Sequence, residues 1–113
     1  MTTEEIEKLE ISKELANIAI KKGEALKRLL ANPDYIEIIS EGFFKSYPTE
    51  LGLAIANNTG AYNPEQLLKT LGSINVLKGY EFQVATNYTA GLQDIEDINQ
   101  YIAESVNNTE DGE

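Results

Sequence analysis

The sequence predicts an all-α fold, with two long amphipathic helices flanking two short helices as a helical bundle or an extended helical hairpin. Three observations predict it. Apolar residues recur at steps of three and four over most of the 113 residues. An Asn-Pro helix-start signal occurs twice, at Asn32-Pro33 and Asn63-Pro64. The one β-branched run that reads equally as a strand, Ile36 to Ile39, would have no second strand to pair with.

From Thr3 to about Ala31, the residues Ile11, Leu15, Ile18, Ala25 and Leu29 fall on one helical stripe, widened by Ala19, Leu26 and Leu30. Lys22 stands in the same row, where its stem can lie along apolar surface and leave the amine in water. The polar face carries Glu10, Lys13, Glu14, Lys21, Glu24, Lys27 and Arg28. Glu10 and Glu14 repel at i,i+4, whereas Glu24 and Arg28 attract. Gly23 costs about 1 kcal/mol of helix propensity relative to Ala, which predicts a bend or a close helix contact there.

Asn32 then offers an N-cap, Pro33 suits the first helical position, and Asp34 favours the positive end of the helix dipole. A short helix over about 33–41 follows, and Gly42 is placed to end it in a left-handed cap. Phe43, Phe44 and Tyr47 come next, and Pro48 opens a third helix to about Asn57 with Leu51, Leu53, Ala54 and Ile55 on its apolar face. The stretch 57–62 reads as a loop.

Asn63-Pro64-Glu65-Gln66 repeats the start signal and adds a glutamine where a capping box requires one. The helical pattern then continues to about Val106 through Leu67, Leu71, Ile74, Leu77, Val84, Tyr88, Leu92, Ile95, Ile98 and Ile102, with only Glu81 breaking the row. Unbroken, such a helix would be roughly 60 Å long. Gly72, Gly79 and Gly91 could each divide it into segments. A rod of that length cannot be covered by the rest of so short a chain, so its stripe is expected against another copy or another protein; the alternative is a kinked helix folded back on itself. Residues 1–106 are expected as a single helical domain, and 107–113 as a disordered acidic tail.

The net charge is −10, with a pI near 4.4. Through Lys78, the last basic residue, there are nine basic and eleven acidic residues; beyond it there are eight acidic and no basic ones. The excess is thus a property of the last helix and tail. It predicts no direct grip on nucleic acid, which requires clustered Lys and Arg. A solvated face is the simple reading. An acidic docking surface for a basic partner, at Asp94, Glu96 and Asp97 with Tyr88 and Tyr101 nearby, is the sharper one. Eight carboxylates, three of them in the tail, are sparse for a mimic of DNA.

The N-terminus opens on Glu4, Glu5 and Glu7 rather than on a basic region, and no window approaches a membrane span, so a soluble protein of the cytoplasm is expected. Asn57, Asn87 and Asn107 begin Asn-x-Thr triplets that have no weight without a secretory route. Cysteine, histidine and tryptophan are absent. Ser–His and Cys–His hydrolases and zinc fingers are therefore excluded, and no disulfide can form. No glycine-rich phosphate loop occurs. The acidic stretch 94–99 places Asn99 where an EF-hand needs glycine and Ile98 where it needs an oxygen ligand. Glu37 and Glu41 lie one turn apart, but neither is followed by the histidine of a carboxylate metal site. No catalytic, cofactor or metal residue is assigned, and a non-enzymatic protein is expected. The aromatic group Tyr35, Phe43, Phe44, Tyr47 and Tyr62 reads first as core; a protein-binding patch at Phe43, Phe44 and Tyr47 is the alternative.

The stretch from Ala25 to Tyr35, ALKRLLANPDY, followed by Glu41-Gly42-Phe43-Phe44-Lys45, resembles a group of small helical proteins encoded by tailed bacteriophages. The likeness covers the first half of the chain, and the second half agrees in pattern only. It implies a phage context and a virion or assembly role. Together with the overlong apolar seam and the absence of catalytic residue types, it predicts an oligomeric virion, packaging or assembly accessory in the host cytoplasm or virion, with further copies of the chain or another phage structural protein as partners. An acidic inhibitor of a basic host nucleic-acid or defence enzyme is the alternative. The resemblance carries no site residue with it.

Overall fold

The computed structural model describes residues 1–58, 60 and 62–111, and the side chains up to 107 apart from 59 and 61. All regular structure among the described residues is helical. The elements are α1 (Thr3–Ala31), α2 (Pro33–Tyr35), a π-helical segment (Ile36–Ser46), α3 (Tyr47–Ala56) and α4 (Pro64–Asp111). The chain forms two compact units, Met1–Ala25 with Val84–Glu113 and Leu26–Gln83, and α1 and α4 each contribute residues to both.

The helix starts follow from local chemistry. Asn32 accepts from the amides of Asp34 and Tyr35 at 2.8 and 3.3 Å. Asn63 and Gln66 form the reciprocal capping box: the Gln66 amide donates to Asn63 Oδ1 at 3.0 Å, and the Asn63 amide donates to Gln66 Oε1 at 3.2 Å. A second box that the sequence reading missed joins Thr2 and Glu5, at 3.1 and 3.3 Å. Its signal, Thr-x-x-Glu ahead of a helix, was present in the sequence.

Gly42 does not end a helix. The only left-handed residues described are Asn58, with φ 53°, and Gly60, with φ 83°, so the turn out of the middle run comes after α3 instead. Gly42 lies inside the π segment, where the Tyr47 amide bonds to its carbonyl, five residues back. Ser46 Oγ also reaches the Glu41 carbonyl at 2.9 Å. In this wider turn a Cβ at position 42 would stand 2.9 Å from the Glu37 carbonyl oxygen, a spacing that glycine avoids. The two short helices are therefore joined end to end, from Pro33 to Ala56.

In the first unit α1 and α4 run antiparallel. Gly23 lies against Tyr88, and Gly91 against Ala16, Ala19 and Ile20. A Cβ at Gly91 would stand 2.9 Å from the Ala16 carbonyl oxygen, which measures how closely the two backbones approach. This corrects the expected stripe. The covered residues of α1 are Leu9, Ala16, Ala19, Ile20, Gly23 and Leu26, whereas Ile11, Leu15, Ile18 and Leu29 remain exposed. Small side chains let the axes come together and bring more backbone into contact than a row of branched residues allows. On α4 the covered row passes through Thr70, Gly91 and Ser105 in place of Leu71, Leu92 and Val106.

The second unit holds the buried side chains Leu51 and Ile74. Tyr35 and Glu81 tie its two ends of sequence together, as do Phe44 and Lys78. Helix α4 is unbroken from Pro64 to Asp111, through Gly72, Gly79 and Gly91, and passes Val106, where it was expected to end. Nothing between 107 and 111 is a proline or glycine, so intrahelical bonding can continue. Of the expected loop and tail, residues 59, 61, 112 and 113 lie outside the described residues.

Candidate protein-interaction surface

The π segment and the first turns of α3 present one continuous face. Ile38, Ile39, Gly42, Phe43, Ser46, Tyr47 and Glu50 line an open groove of about 450 Å³ along it. The Phe43 and Tyr47 rings, four residues apart, stack at 6.2 Å between centroids with planes 19° apart. Phe44 lies 6.1 Å from Phe43, tilted by 48°. Glu50 adds a carboxylate to the lining. Apolar walls with a few polar groups and a stacked ring pair can bind an apolar side chain or helix face by burying area and excluding water.

The aromatic group is therefore not core, and this corrects the first reading of it. Phe43 and Phe44 are half-buried, and Tyr47 and Tyr62 are exposed. Lys78 places its ammonium 5.3 Å from the centre of the Phe44 ring, a cation–π contact that no local pattern could reveal across so long a separation in sequence. Lys45 pairs with Glu41 at 3.2 Å, an exposed i,i+4 contact that adds little.

Tyr35 separates from the other rings. Its hydroxyl donates to Glu81, the residue that breaks the apolar row of α4. Burial, and then the hydrogen bond and negative charge of Glu81, push the phenol up to about 12. The pair gives a half-buried carboxylate a partner.

The acidic residues lie elsewhere. Asp94, Glu96 and Asp97 are exposed, and Asp97 accepts from Gln93 Nε2 at 2.9 Å. Tyr101 is exposed beside them in sequence, while Tyr88 is half-buried against Gly23. The structure thus gathers Phe43, Phe44 and Tyr47 into one patch and keeps Asp94, Glu96, Asp97 and Tyr101 on the surface of the other unit. Among the described residues no group of three or more acidic side chains is close enough to hold a metal ion, and no helix is long and apolar enough to cross a membrane. No family model, curated protein or solved structure matches the chain.

Proposed function

We propose that this chain is a non-enzymatic accessory protein of a tailed bacteriophage, acting in virion structure, packaging or assembly by packing its helices against another protein. The groove along Ile38–Glu50 carries the reading: an apolar, ring-stacked face left open in a small chain. The resemblance of Ala25–Tyr35 and Glu41–Lys45 to small phage proteins supplies the context.

The test is retention of purified capsid, portal and tail proteins on the immobilised chain, compared with Tyr47→Glu. Retention of one of them that is lost in Tyr47→Glu supports the reading. Passage of all of them, or equal retention by both forms, overturns it.

A second reading, an inhibitor of a basic host nucleic-acid or defence enzyme, is favoured by the exposed Asp94, Glu96 and Asp97 in a stretch without a single basic residue. It predicts salt-sensitive binding that weakens when these three become Asn, Gln and Asn. Indifference to the change would count against it.

A further inference from the structure

We infer that α1 is a self-association surface, on which a second copy of this chain lays its own α1 in the opposite direction. The inference rests on the reading that this protein works by helix packing, and it names one partner and one register.

The first observation is an uncovered row. Ile11, Leu15 and Ile18 step by four and three along α1 and are 58, 63 and 49% exposed, because α1 meets α4 through the neighbouring face of Ala16, Ala19, Ile20 and Gly23. Lys22 and Ala25 continue the row with the same spacing. A seven-residue apolar repeat on the outside of a helix is the pattern of a two-stranded coiled-coil seam. The covered and uncovered faces are about a third of a turn apart on the helix, since each residue advances roughly 100°. One face can therefore hold α4 while the other holds a second helix.

The second observation is the order of the charges. Along one edge of the row, seven residues apart, stand Glu7, Glu14, Lys21 and Arg28, acidic in the first half of the helix and basic in the second. None of the four makes an ion pair among the described residues. An antiparallel seam with Leu15 layered on Ile18 of the second copy sets Glu14 opposite Lys21 of the second copy. By two-fold symmetry the same pair occurs twice, with Glu7 and Arg28 as the next pair outward. A parallel seam would set Glu7, Glu14 and Lys21 against Ser12, Ala19 and Leu26 and leave every charge unmatched. The charges select the antiparallel arrangement.

The third observation concerns the other edge. There Ser12 and Ala19, with Asn87, Ala90 and Gly91, line a groove of about 290 Å³ between α1 and α4 beside Leu15. Small side chains at that edge let a second helix approach closely. Lys22 meets Ile11 of the second copy in this register, its stem on the apolar surface and its amine in water. A lysine in the seam limits the strength of the association and favours a single register.

Sedimentation velocity of the full chain over a range of concentrations tests this. The wild-type chain is expected to reach twice its 12.5 kDa mass. Leu15→Asp, an exposed position, should leave a monomer with unchanged helical circular dichroism. Glu14→Lys or Lys21→Glu alone turns two attractions into two repulsions and should weaken the dimer roughly tenfold, whereas the double exchange should restore it. Since the chain has no cysteine, oxidation of the pair Glu14→Cys and Lys21→Cys should give a covalent dimer, and Glu14→Cys alone should not. A monomer at every concentration, or a dimer indifferent to these exchanges, overturns the inference. Either result leaves the groove at Tyr47 to be judged by its own binding test.

Discussion

Glu81, the one acid in the apolar row of α4, receives the hydroxyl of Tyr35 from the other side of its unit. The pairing explains how a carboxylate persists among covered positions: the phenol satisfies it, and its own proton is held more tightly in return. Tyr35→Phe removes the donor and leaves the acid half-buried. The expected loss is about 1–3 kcal/mol in urea denaturation, and less in the double variant with Glu81→Leu, where both polar partners are gone.

The same pair sets a pH response. The Tyr35 phenol ionises near 10 when unfolded and at about 12 when folded. The folded chain therefore keeps a proton that the unfolded chain has lost, and stability falls as pH rises from 10 to 12. Ultraviolet titration should show a tyrosine step near pH 12, and Glu81→Gln should bring that step down. A late step that persists in Tyr35→Phe would show that the high value belongs to another ring.

Glycines separate into two groups by what a methyl would meet. Gly23→Ala would overlap Tyr88, and Gly91→Ala would press on the Ala16 carbonyl; each should cost about 1–3 kcal/mol. Gly72 and Gly79 have nothing within 4 Å, so Gly72→Ala and Gly79→Ala should raise stability by up to about 1 kcal/mol through helix propensity alone. Thermal denaturation of the four variants ranks them.

Gly42→Ala probes the π segment. Its methyl would lie 2.9 Å from the Glu37 carbonyl oxygen, and relief requires the turn to tighten at a cost of about 1–3 kcal/mol. Tightening would turn Phe43 and Tyr47 out of register with Ile38 and Ile39, so binding at the groove should fall more than stability does. Equal loss of both would assign Gly42 a purely structural part.

Caps can be tested separately from packing. Asn63→Ala removes the side chain that holds the first turn of α4 and should cost about 1 kcal/mol. Leu51→Ala, at a position only 2% exposed, should cost about 2–5 kcal/mol. A larger loss at Asn63 than at Leu51 would contradict the view that burial dominates the second unit.

What could be read from sequence was what depends on neighbours in sequence. Asn32 and Asn63 announce helix starts because their side chains bond to amides two and three residues on, and the all-α class follows from spacing that only a helix satisfies. Tertiary structure decided which spacing faced inward. On α1 two rows fit a helix equally well, Ile11-Leu15-Ile18 and Ala16-Ala19-Gly23, and hydrophobicity favours the first. The second is covered because Gly91 and Tyr88 can approach it more closely, and shape complementarity between distant segments is invisible to a local pattern. For the same reason Glu81 read as a break in a row until Tyr35 was found beside it. Gly42 read as a stop because a left-handed cap and a widened turn both require a residue without a side chain, and the residues flanking it do not tell the two apart.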